Sequence, residues 1–110
     1  MNLVRQISNR AFDLQLLKKG NYIDAMAMFN KMKLIEIGLY DVEMLQHGIG
    51  WEDFELWLRI GNKGEQVGFI DKPLSRSLIK TDSMLSLTEK KSNKKKLKNY
   101  LNKKHNANIQ

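Results

Sequence analysis

A chain of 110 residues, 42% of them hydrophobic, has material for one small core and excludes a multidomain assembly. It contains no cysteine, which excludes a disulfide framework and thiolate metal sites and favours a reducing compartment. The net charge of +7 belongs to the tail: residues 90–104 hold eight of the nineteen Lys and Arg, no acid follows Glu89, and residues 1–89 sum to about neutral.

In chain order, apolar residues at Leu3, Val4, Ile7, Ala11, Leu14 and Leu17 follow a helical spacing that ends in Lys18-Lys19-Gly20, so one or two helical pieces are expected there. No apolar run reaches the roughly 20 residues of a membrane span, and Arg5 and Arg10 interrupt any signal-like stretch. A soluble, cytoplasmic chain is expected. Tyr22 to Phe29 reads as a buried strand or a helix start, and Asn30 offers a cap to a short helix over Met32 to Ile37, closed by Gly38. Tyr40 to Gly50 reads as a loop, and a helix follows from about Glu52 to Asn62, stopped by Asn62-Lys63-Gly64. Gln66 to Ile70 has the apolar content of a strand, Asp71-Lys72-Pro73 breaks it, and Ser77 to Ile79 adds a short extended piece. Residues 83–103 can form a helix, but none of its residues between Leu87 and Leu97 is apolar, so a frayed, solvated end is expected.

These elements predict one mixed α/β unit over residues 1–89, α+β if taken as an isolated piece, with helices and a few short strands. Residues 90–110 form a basic tail, partly helical or disordered. The tail carries lysine without arginine and a single aromatic, Tyr100. That composition argues against a nucleic-acid footprint, leaves electrostatic contact with an anionic membrane surface open, and keeps a non-catalytic binding module as the alternative reading.

Glu52, Asp53 and Glu55 fall in the first turn of the 52–62 helix, where free N–H groups and the helix dipole favour negative charge. That placement alone accounts for three acids. Glu55 and Arg59 form an i,i+4 pair in the favourable order, while Phe54, Trp57, Leu58 and Gly61 share one face. On that reading Arg59 is the partner of Glu55, and Trp57 belongs to the core. His47 and His105 lie too far apart in sequence to suggest a metal pair.

The order of several spaced elements adds a functional reading. Asn21-Tyr22-Ile23, Met28-Phe29-Asn30-Lys31, Ile37-Gly38-Leu39-Tyr40-Asp41, Gly50-Trp51-Glu52-Asp53-Phe54-Glu55-Leu56-Trp57-Leu58-Arg59, Phe69-Ile70-Asp71-Lys72-Pro73-Leu74 and Asp82-Ser83-Met84 together resemble the acceptor-side, C-terminal part of family 2 glycosyltransferases, over about residues 20–85. The resemblance implies part of a GT-A nucleotide-diphospho-sugar transferase fold, acting on a nucleotide-sugar donor and a carbohydrate acceptor with inversion, in glycan or cell-surface polysaccharide synthesis. It makes Asp53 the catalytic base, with Glu52 and Trp51 holding the acceptor. An indole offers a flat apolar surface suited to a sugar's apolar face. Partial burial would raise the basicity of Asp53 and the helix N-terminus would lower it, and spacing does not decide which prevails.

The resemblance breaks in two places. Where family members often carry a Tyr-Arg-x-His stretch, this chain has Ser77-Leu78-Ile79-Lys80, so an ammonium stands in place of a metal-binding imidazole and is placed to neutralise a leaving diphosphate. The Asp-x-Asp half that would hold Mg²⁺ or Mn²⁺ in the complete enzyme has no counterpart in residues 1–20. The expectation is a piece that binds no metal and is inactive alone, cytoplasmic, with peripheral contact at the inner membrane face through its tail.

Overall fold

The computed structural model describes Gln6, residues 8–75, residues 91–105 and Ile109. Five helices are seen among them: α1 Leu14–Leu17, α2 Lys31–Glu36, α3 Val42–Gln46, α4 Glu52–Asn62 and α5 Lys91–His105. Three begin on a side-chain cap of the kind that satisfies free N–H groups. Asp13 Oδ1 accepts from the Gln15 and Leu16 amides at 3.0 and 3.3 Å. Asn30 Oδ1 accepts from Lys33 N at 3.1 Å. Asp41 Oδ1 accepts from Glu43 N at 2.9 Å at the head of α3.

Helix α4 is the centre of the molecule. Phe54, Leu56, Trp57, Leu58 and Ile60 are all buried, and α1, α3 and α5 each pack against it. A helix with a wide apolar face is stable only when neighbouring elements cover that face. Leu17, Ile37, Met44, Ile49, Leu97 and Leu101 complete that cover, and Phe29 stacks on Trp57 with centroids 5.5 Å apart. At Gly61 an added Cβ would lie 2.7 Å from Leu14 Cδ1 and 3.1 Å from the Phe12 ring, so glycine allows the close approach of α1.

The expected α/β class is overturned, and with it the GT-A fold piece: among the described residues there is no strand. The run from Tyr22 to Phe29 stays irregular. Its bonds are local or tertiary, with Ser8 N donating to Tyr22 O at 3.0 Å and Ala27 N to Ala25 O at 2.9 Å. The Tyr22 hydroxyl donates to Ala11 O and accepts from Asp13 N, both at 2.8 Å, which ties this run to the entry of α1. Residues 66–70 form no regular element, and Val67, Phe69 and Ile70 are exposed. An apolar run becomes a strand only where another strand completes its hydrogen bonds, and none is present among the described residues. The extended piece expected over Ser77 to Ile79 lies outside the described residues.

Two further expectations change. The 40–50 loop contains α3, whose Met44 is fully buried. The tail is a docked helix, because Leu97 and Leu101 on α5 sit one turn apart and are buried against the core. No helix among the described residues is long and apolar enough to cross a membrane.

Candidate functional site

The approach to α4 is made by Gly48, Ile49 and Gly50, and the helix is entered through Trp51 in a left-handed conformation, φ 63° and ψ 41°, with no side-chain cap. For a bulky side chain this backbone costs about 1–2 kcal/mol, and such strain concentrates where function needs a fixed geometry. The Trp51 ring meets Phe54 edge-on at 5.9 Å. The indole is thereby fixed beside the first turn of α4, although its Nε1 is buried without a hydrogen-bond partner.

Asp53 is half-buried, and its carboxylate accepts the Phe54 amide at 2.9 Å. Burial pushes its carboxyl above the ordinary value of 3.8 and the Glu52 charge adds to that. The Phe54 and Asn21 hydrogen bonds oppose the rise without cancelling it. The competition between burial and the helix start is therefore won by burial. Tyr40 belongs to the same field, since its own burial and then the charges of Asp53 and Glu52 hold its hydroxyl above the ordinary tyrosine value.

Asn21 acts on Asp53, and the charges of Asp53 and Glu52 act on Tyr40, so residues from three segments share one electrostatic field with the sequence-predicted acids beside Trp51. Asn21 and Tyr40 were not singled out as site residues, although both lie in the strings that carry the resemblance. Nothing in helical spacing could have joined three separate segments; only the fold brings them together. Lys80, the candidate for the diphosphate, lies outside the described residues.

A second, more deeply buried set of charges faces away from this role. Glu55 has no exposure, and its carboxylate takes Arg59 Nε and Nη2 at 2.9 and 2.7 Å. His105 Nε2 lies 3.0 Å and Lys104 Nζ 3.4 Å from its Oε2. Burial on its own would raise the Glu55 carboxyl, yet the His105 and Arg59 hydrogen bonds bring it down to about 2. Arg59 also donates to the Ile37 carbonyl at 2.7 Å and to the Leu39 carbonyl, holding the turn after α2. Asp41 Oδ2 accepts from the Tyr100 hydroxyl at 2.7 Å and from Lys104 at 2.6 Å. Those two bonds outweigh its burial and bring its carboxyl down to about 2. The expected Glu55–Arg59 pair is present, and the tail residues Tyr100, Lys104 and His105 extend it into a network that no local spacing revealed.

No family model, curated protein or solved structure matches the chain. Among the described residues no three His, Asp or Glu side chains gather in a way that could hold a metal ion. The divalent cation implied by the resemblance finds no fitting donor set among them, and no chemical step is routed through it here.

Proposed function

We propose that this chain is the acceptor side of an inverting glycosyltransferase, with Asp53 as the base that activates the acceptor hydroxyl. The observation that carries the reading is a half-buried carboxylate at the start of α4, its affinity for protons raised by burial and by Glu52, standing next to an indole held in a strained backbone. A general base must be ionised at working pH and still willing to take a proton, which is the direction in which this environment moves it. The Asn21 side chain offers a donor that favours the ionised carboxylate.

In the proposed reaction the acceptor sugar rests against Trp51 and Glu52, and its hydroxyl points at Asp53. The oxygen attacks the anomeric carbon of a nucleotide-sugar as its proton passes to the Asp53 carboxylate. The bond to the nucleoside diphosphate breaks on the opposite face, so the configuration inverts. The donor and its divalent cation belong to a nucleotide-binding half that residues 1–20 do not resemble, so this chain is proposed to be inactive alone.

Exposed apolar side chains support a role within something larger. Met26, Met28 and Met32 are 73, 100 and 72% exposed, and Ile70 and Leu74 are 65 and 73% exposed. Exposed apolar side chains of this kind are consistent with further polypeptide packing on this chain. The proposed setting is the cytoplasm.

The test is a transfer assay on a polypeptide that joins these residues to a nucleotide-binding half. Asp53→Asn is expected to lower the rate by at least about 10²-fold, the scale of general-base catalysis, with the circular dichroism spectrum unchanged. Unchanged transfer by a folded Asp53→Asn protein removes Asp53 as the base.

A further inference from the structure

On the other side of Trp51 lies an open groove of about 190 Å³ that does not include Asp53. Trp51, Phe54 and Leu97 form its apolar lining, and Lys19, Lys94 and Lys98 surround it. Lys94 and Lys98 stand one turn apart on α5, on the side that also carries Leu97, while Lys19 comes from the segment after α1. Like charges at i,i+4 repel one another, and among the described residues no carboxylate lines the groove to offset them. Docking of α5 on the core nevertheless brings its two lysines to the same hollow as Lys19. Three ammonium groups around a concave site raise the local concentration of anions, and an aromatic wall selects those with a flat apolar face.

We infer that this groove binds a small phosphorylated ring compound, of the size and chemistry of a monosaccharide phosphate. Its phosphate sits among Lys19, Lys94 and Lys98, and its ring lies against Trp51 and Phe54. The volume falls below the roughly 300 Å³ at which drug-sized pockets begin, so it suits one ring with its phosphate and excludes a dinucleotide. This site shares Trp51 with the proposed acceptor site but none of its cations, so the Lys94 and Lys98 amides report on the groove and the Glu52 and Asp53 amides on the acceptor site.

The experiment is an amide and indole NMR titration of the full chain with glucose 6-phosphate, with glucose and with inorganic phosphate. Glucose 6-phosphate is expected to produce saturable shifts at the Trp51 indole and at the Lys94 and Lys98 amides. Inorganic phosphate is expected to bind more weakly, and glucose to leave those lysine amides unmoved. The double variant Lys94→Gln, Lys98→Gln should weaken the sugar phosphate by about tenfold or more with helicity retained. If that variant loses helicity, Lys19→Gln provides the same test from outside α5. Equal affinity for phosphate and glucose 6-phosphate would reduce the groove to a diffuse cation cluster and overturn the inference. So would unchanged binding in a folded variant, no binding at all, or lysine shifts produced only by an oligonucleotide or by phosphatidylserine vesicles.

Discussion

Asp53 and Glu55 sit two residues apart on one helix turn, and although burial raises both carboxyls, their partners leave one above its ordinary value and the other below. Glu55 has cationic partners within hydrogen-bond reach, whereas Asp53 has an amide, an asparagine and a neighbouring acid. A carboxyl raised in the folded state binds its proton more tightly there than in the unfolded chain, so its ionisation costs stability as pH rises through the folded value. Asp53→Asn is accordingly expected to stabilise the chain, with a gain in melting temperature that grows from pH 4 to pH 7 in differential scanning fluorimetry. A variant less stable than the parent at pH 7 would contradict the environment assigned to Asp53. Glu55 is the reverse case. Its contribution is present above the ordinary value of 4.5 and is lost as pH falls toward about 2. Glu55→Ala leaves Arg59, Lys104 and His105 around an empty centre and is expected to cost about 3–5 kcal/mol in urea unfolding at pH 7. The Glu55–Arg59 pairing was legible from i,i+4 spacing, but its connection to the tail was not, because His105 lies fifty residues away.

Helix α4 and the cap of α2 were readable because their signals are local. The acidic first turn, the closely spaced apolar positions and Asn62-Lys63-Gly64 define α4 in any context, and Asn30 caps α2 as expected. A strand depends on partners that a single run of sequence does not specify, and neither the 22–29 run, read as a strand or a helix start, nor the 66–70 run forms one. A helix was expected within residues 83–103 and α5 lies largely there, but as a solvated end; its burial rests on the short seam of Leu97 and Leu101 after a run without apolar residues. If that seam holds α5 on the core, Leu101→Ala costs about 2–5 kcal/mol, and deleting residues 91–110 lowers the melting temperature of what remains. A truncated chain as stable as the parent would return the tail to solvent. At Gly38, φ is +100° and an added Cβ would approach Arg59 Nη1 at 3.3 Å. Gly38→Ala is expected to destabilise by about 1–3 kcal/mol, through backbone strain and displacement of the guanidinium.

At the scale of the molecule, a helical core around α4 coexists with a surface that carries uncovered methionine, isoleucine and leucine. Exposed side chains of this kind contribute little to the stability of the chain by itself. Met28→Lys should therefore change its unfolding free energy by less than about 0.5 kcal/mol, while reducing self-association in sedimentation experiments. The overall architecture was the least legible feature, since long-range pairing decides between sheet and helix packing and local pattern does not. The proposed acceptor site was read from three contiguous residues, Trp51, Glu52 and Asp53, whereas the influence of Asn21 on Asp53 and of the two acids on Tyr40 arises only through the fold. The central claim is that this cluster receives a sugar, and the most direct measurement is an NMR titration of the chain with a panel of neutral mono- and disaccharides. The account predicts that at least one sugar gives saturable shifts at the Trp51 indole and at the amides of residues 52–54, and that these shifts weaken in Asp53→Asn. A folded chain in which those resonances stay still for every sugar would contradict it.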